Sequence, residues 1–368
     1  MVRLCFCILP VCEACFFLRL LVELLLFLRF LALGIGGAGP KGQFRSKGLV
    51  GPGWQASCAG MEAAAGTPES PTDREAGGNA LIYNLNIERN VFFFYISCMY
   101  EIPSCFMDFV AAGCDRAAFI QGELNRAGLE APILSMEGKN HIYVKFPQSQ
   151  YNPAFRIKTV IAHYDRFPGS PGANDNSAAV FCLIEWAERL MKNYGAGAAF
   201  HNIRLIFTDG EELGAAGVAE QGAFPLAQVF RRLGITNDDI FVFDCMGRGD
   251  VPILTQTKLP YGAPARFVKA FCELEQRAAS LLQTSAKGRW FSLPCNYSDN
   301  ASFIANGIPA VAITMLPSLE VSAATQGLQP QSWQLLHTPG DNLASLTPQS
   351  FEIFHNILNN LAALKTLT

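Results

Sequence analysis

The chain is 368 residues long, half of them apolar, with a formal net charge of -3. That length and apolar content permit one sizeable buried core with appendages, which excludes a wholly disordered chain. The basic residues form no long stripe, so a nucleic-acid surface is not expected, and small or peptide-like substrates fit better.

Residues 16–34 are nearly all Leu, Phe, Val and Ala, interrupted by Arg19, Glu23 and Arg29. Three central charges at about +2.5 to +3.5 kcal/mol each roughly cancel some fifteen apolar residues at about -0.3 to -0.6 kcal/mol each, so membrane spanning is marginal. Residues 1–40 therefore read as an apolar leader with three open interpretations: a signal sequence with a small-residue cleavage zone, a poor anchor, or an upstream extension the native protein lacks. Residues 41–100 turn to Gly, Ala, Pro, Ser and Glu and are expected to be a mostly disordered linker, because they cannot bury enough surface to offset ordering entropy. Met61 opens MEAAAGTPESPTDREAGG, a second candidate start. A chain starting there would be cytoplasmic; otherwise residues 16–34 would export it or associate it with a membrane. Of twelve cysteines, Cys5, Cys7, Cys12 and Cys15 crowd the leader. Cys182 and Cys272 fall in amphipathic patterns where a thiol acts as a small hydrophobe, and no disulfide framework is expected.

From residue 107 to 129, Phe109, Val110, Cys114, Ala118, Phe119, Leu124 and Leu129 recur at helical spacing, which predicts one amphipathic helix. Strands are predicted over 141–146, 158–163, 203–208, 240–244 and 310–315, with helices over 177–192, 225–233 and 265–282. A last helix from Pro348 to about Leu364 should pack on the sheet. This alternation predicts an α/β fold, a three-layer αβα sandwich with a mostly parallel central sheet, over residues 105–368. No internal repeat is visible.

Polar residues cluster where these strands end, the edge at which open α/β sheets bind ligands. TVIAHYD closes a strand with His163 and Asp165, and an Asp two residues on can take the other ring N–H of a ligating imidazole. PGANDNSAAV places Asp175 in a turn before a helix, where it could cap the helix, bridge metals, or both. FTDGEELGAAG puts Glu211 and Glu212 side by side after a buried run, where two charges are costly without cations. IFVFDCMG ends in Asp244, and LLHTPGDN places His337 before a Pro-Gly turn. His141, His201 and His355 fall outside this set and read as structural or surface.

Taken in order, HYD, PGANDNSA, TDGEELGAAG, FDCMG, YSDNASF and HTPGDN resemble the co-catalytic dizinc aminopeptidases of the bacterial leucyl aminopeptidase type, a group that shares its fold with glutaminyl cyclases and the protease-like domain of transferrin receptor. The resemblance covers nearly all of residues 105–368 and implies a zinc exopeptidase-like fold, a peptide substrate and two Zn2+, with other divalent ions open. It implies that His163 and Asp244 bind one ion, Glu212 and His337 the other, and Asp175 both. Glu211 would be the general base and Asp165 would orient His163. A cis bond between Asp175 and Asn176 is also implied. Met246, Tyr297, Asp299 and Leu336 are candidate pocket residues, with Cys245 and Phe303 as further neighbours. The chain departs from the family in reading Ser298-Asp299-Asn300 where Ser-Asp-His is frequent, which bears on substrate preference. Two other readings stay open: a single-zinc glutaminyl cyclase-like acyltransferase, and a non-catalytic protein of the same fold. Oligomeric state and membrane association are not legible.

Overall fold

A computed structural model describes residues 100–194 and 200–368. The leader, and the linker up to residue 99, lie outside the described residues. Eight strands form one sheet: β1 (Ile133–Met136), β2 (Lys139–Val144), β3 (Lys158–His163), β4 (Ile203–Thr208), β5 (Asp239–Phe243), β6 (Val251–Thr255), β7 (Phe291–Leu293) and β8 (Ala310–Leu316). Their spatial order is β1-β2-β4-β3-β5-β8-β6-β7. The four central strands, β4, β3, β5 and β8, run parallel, while β2 pairs antiparallel with β4 at one side and β6 antiparallel with β8 at the other.

The central strands are buried on both faces because their alternate residues feed two different cores. Val160, Ala162, Leu205, Phe207, Phe241 and Phe243 face one core. Ile161, Ile206, Ile240 and Val242 face the other. A strand clothed by helices on both sides must be apolar at every position, which is why these segments read as continuous runs. The first face is covered by α1 (Cys105–Val110), α2 (Arg116–Arg126), α3 (Ala178–Tyr194), α5 (Ala265–Ser285) and α9 (Pro348–Ala363). The second is covered by α4 (Ala223–Arg232) and by Phe303 of α6 (Asn300–Ala305). The predicted three-layer αβα architecture is the one observed. The short helices α7 (Ser318–Thr325) and α8 (Gln331–Leu335) follow β8. Among the described residues no helix is long and apolar enough to cross a membrane.

Two expectations are corrected. The single helix predicted over 107–129 is two helices, because Asp115 accepts a hydrogen bond from the Ala118 amide (3.0 Å) and so starts a new helix after the Gly113 break. Cys272 is exposed on α5 rather than packed inside, whereas Cys182 is buried as expected. Six cysteines among the described residues are free.

His201 is fully buried with both ring nitrogens engaged: Nε2 lies 2.7 Å from Gln150 Oε1, and Nδ1 accepts from the Ile203 amide at 2.8 Å. A second proton has no acceptor there. Burial, with Lys158 and Lys365 nearby, pushes this imidazole from its usual 6.5 down to about 3. Between those values the unfolded chain binds the proton that the folded chain refuses, so the stability His201 contributes is complete above pH 6.5 and is lost as pH falls towards 3. His201→Gln is expected to flatten the acid limb of a plot of urea midpoint against pH. A limb of unchanged slope would remove His201 as its cause.

Candidate metal centre

β3 lies between β4 and β5, so the chain leaves it on one side and returns on the other, and a crevice opens at the carboxyl ends of the three strands. His163, the last residue of β3, pairs in register with Thr208, the last of β4. Asp244 follows β5 directly, its amide donating to Ile313 O of β8 (3.1 Å). The loop between β3 and α3 carries Asp175, with a cis peptide bond to Asn176 as the resemblance implies. That loop is tied to the end of β5: Asn176 donates to Phe243 O (2.9 Å) and accepts from the Cys245 amide (3.2 Å), and Asn174 accepts from the Gly247 amide (2.8 Å). Glu211 and Glu212 begin a short 3-10 turn after β4. His337 sits with φ of 61° after α8, its ring stacked on Phe167 at 4.6 Å.

These elements bring seven side chains together. Asp175 Oδ1 lies 3.1 Å from His163 Nε2, and Asp175 Oδ2 lies 3.3 Å from His337 Nε2. Asp244 Oδ1 is 3.4 Å from the same His163 nitrogen, and Glu212 Oε2 is 3.0 Å from the same His337 nitrogen. Two donor sets result, His163/Asp175/Asp244 and Asp175/Glu212/His337, each with ligand atoms within 4.8 Å of one another. Asp165 faces the opposite ring nitrogen of His163 at 3.3 Å and accepts the amides of both Glu211 and Glu212 at 3.1 Å. Gln221 donates to Glu211 Oε1 (2.9 Å), and its own amide oxygen accepts from Ser302 (2.8 Å).

The donor chemistry fits cations. Both ring nitrogens of His163, both carboxylate oxygens of Glu212 and Oδ1 of Asp244 are buried with no hydrogen-bond partner. Buried polar atoms are normally paired, and imidazole with carboxylate is a zinc-type ligand set. Burial would lower the His163 pKa, yet the Asp244 charge and the contacts to Asp165 and Asp175 hold it well above the ordinary imidazole range. Contacts with Asp175 and Glu212 raise His337 to about 10. Asp175 is held below the usual carboxylate range by the two histidines despite its burial. Glu211 is pushed well up by burial and by Asp244, Asp299 and Asp175. A field that favours positive charge on two imidazoles is one that also favours divalent cations beside them.

The adjoining cleft has a volume of about 690 Å³. Tyr297, Leu336 and Cys245 line it, together with Trp333, Thr255 and Thr314, which sequence reasoning missed. Met246 does not: it is buried in the core among the helices of the first face. Asp299 is also withdrawn from the cleft, fully buried with Oδ2 accepting from Thr208 Oγ1 (2.5 Å). Phe303 belongs to the second core. Asp341 was missed as well. Its carboxylate accepts the amides of Asn174 (2.7 Å) and Asp175 (3.1 Å), a role hinted at only by its place in HTPGDN.

The sequence profile of peptidase family M28 matches residues 142–362, more than half of the chain. Nothing among curated protein sequences matches at a significant level. Among solved structures, the LapA aminopeptidase of Legionella pneumophila superposes with a TM-score of 0.53 at 14% identity, covering 81% of this chain and 79% of that one. A glutaminyl cyclase from Porphyromonas gingivalis gives 0.53 at 17% identity over 73% of this chain and 99% of its own. A Zn-dependent exopeptidase from Parabacteroides distasonis gives 0.51 at 16% identity over 70% and 96%. At these identities the likeness is one of fold.

Gly172 makes the left-handed turn that leads into Asp175. Its φ is +63°, and a Cβ there would lie 2.6 Å from the Asp175 carbonyl oxygen. The left-handed cost and the overlap together predict that Gly172→Ala destabilises the protein by about 2 to 4 kcal/mol in urea unfolding. A loss below about 0.5 kcal/mol, the range of ordinary surface changes, would contradict this packing.

Proposed function

The chain belongs to peptidase family M28, and we propose that it is a metal-dependent aminopeptidase with a two-zinc site. The observation that carries this reading is the placement of Asp175, whose two carboxylate oxygens face two different histidines, each with its own second acid. His163, Asp244 and Asp175 would hold one ion, and Glu212, His337 and Asp175 the other. The ions, when bound, supply positive charge that polarises the scissile carbonyl and makes water acidic enough to attack near neutral pH.

The remaining work falls to side chains. Gln221 fixes Oε1 of Glu211, which leaves Oε2 to take the proton of the attacking water and pass it to the leaving amine, general base and then general acid. Asp165 faces His163 Nδ1 at 3.3 Å, which would leave Nε2 for the metal, and its acceptance of the two glutamate amides aims Glu211 and Glu212 from one turn. The cleft walls beyond the charged cluster, including Thr255, Thr314, Tyr297, Trp333 and Leu336, would receive the N-terminal residue of the peptide.

The test is metal analysis together with an assay of aminoacyl amides and N-terminal Gln peptides, with and without chelator. Two zinc ions per chain and chelator-sensitive release of N-terminal residues are expected. One tightly held ion with cyclisation of N-terminal Gln would replace this reading by a cyclase, and a chain that binds no metal and hydrolyses nothing would be a non-catalytic member. Glu211→Gln should retain both ions and lose about 100- to 10,000-fold in kcat. A metal-replete, fully active Gln variant excludes Glu211 as the base.

A further inference from the structure

α1 and α2 precede residue 142, where the family match begins, yet they are locked onto the loop that carries Asp175. Arg116 of α2 is buried beneath that loop. Its Nη1 donates to Tyr164 O (2.7 Å) and Asp165 O (3.2 Å), and its Nη2 donates to Pro171 O (3.2 Å) and Ser177 Oγ (2.6 Å). Phe109 of α1 packs beneath the guanidinium, its ring centroid 4.6 Å from Cζ. In return, Arg166 of the loop reaches back to the α1–α2 connection, donating to Val110 O (2.8 Å), Ala111 O (3.1 Å) and Ala112 O (2.8 Å) and, within its own loop, to Pro171 O (3.5 Å).

We propose that Arg116 and Arg166 are positioning residues, and that this exchange of arginines makes the two N-terminal helices part of the metal-binding machinery. The inference rests on the two-ion reading given above. Between His163 and Asp175 the chain must turn through eleven residues with no secondary structure before Ala173. Arg116 bonds four points along it, from Tyr164, next to His163, to Ser177, two residues past Asp175. The anchors therefore begin directly after His163 and enclose Asp175. Gly172 lies in the wedge between them: a Cβ there would meet Arg166 Cβ at 3.0 Å and Arg116 Nη2 at 3.5 Å as well as the Asp175 carbonyl. A planar fork can hold carbonyls in two directions at once, which an ammonium on a flexible stem cannot. The partners of Arg116 are carbonyls and a hydroxyl rather than a carboxylate. Burial and the neighbouring Arg166 charge lower its pKa to about 10, and the negative charge of Asp165 and Asp175 opposes this only in part.

The experiment uses the full chain carrying Arg116→Met, Arg166→Met or both. Zinc affinity is measured by competition with a chromogenic chelator, folding of the metal-free protein by urea unfolding, and turnover by kcat and KM on an aminoacyl amide. Each single variant is expected to bind zinc about 10- to 100-fold more weakly. At saturating zinc, kcat is expected to fall with KM changed less than about threefold. Because the two side chains secure one loop, the double variant should lose no more than the worse single. Wild-type zinc affinity in both single variants overturns the proposal, and so do losses that multiply in the double. Should Arg116→Met fail to fold, Arg166→Met, which removes the half-buried side of the exchange, decides alone. A wild-type chain that takes up no zinc sinks the two-ion reading, whereas a loaded, active wild type matched by its variants sinks the clamp alone.

Discussion

Asp175 offers its two oxygens to two different histidines, and much of the surrounding polar structure holds it in that position. A carboxylate in an unrestrained turn would rotate towards one imidazole and leave the other. Here the turn is restrained from three directions. Asp341 takes the amides of Asn174 and Asp175, Asn174 and Asn176 bond the chain just around Asp244, and Arg116 grips the carbonyls behind. Asp175 and Asp244 are thus fixed relative to each other by backbone contacts rather than by their own charges, which repel.

The acids divide accordingly. Asp165 and Asp341 turn away from the cleft and accept paired backbone amides, while Asp175, Glu212 and Asp244 turn towards it and lack amide donors sufficient to satisfy them. Asp165 also faces His163, which holds its pKa down against burial. Asp341 has no such cation and is raised to about 6 by burial, its amide partners only partly opposing this. The difference shows why one crowded site can contain carboxylates with opposite shifts: each responds to its nearest donor, and the balance among burial, amides and imidazoles varies over a few ångströms.

Much of this was legible in the sequence for a physical reason. Strands buried on both faces show as uninterrupted apolar runs, and a charged residue at the end of such a run has to be functional or paired, so His163, Asp244 and the Glu211-Glu212 pair stood out. β1, β6 and β7 were missed because they lie outside the parallel core: β1 alternates between exposed and half-buried, and β6 carries Pro252. Met246 was misplaced because it neighbours Asp244 in sequence while its side chain takes the core side of the chain. Arg116 was invisible for a different reason. A cation inside an amphipathic helix reads as solvent-facing, and only the tertiary fold shows that its acceptors are carbonyls some fifty residues away.

The Asn300 departure from the family pattern acquires a different meaning once its surroundings are known. Asn300 is buried, and its side-chain oxygen accepts the Ser298 amide (3.2 Å), closing the turn it belongs to rather than entering the cleft. Asp299 is likewise committed, bonded to Thr208 at the end of β4. The exchange of residue type at 300 therefore acts on the wall through the shape of this turn. The wall itself is Tyr297 and Ser298, and Tyr297 reaches across to donate to Gly214 O (2.8 Å) in the turn that bears Glu211 and Glu212. One side of the cleft is thus coupled by a single hydrogen bond to the segment bearing the proposed base. A change in the 295–298 loop would consequently be felt both in the shape of the cleft and in the turn that carries Glu211.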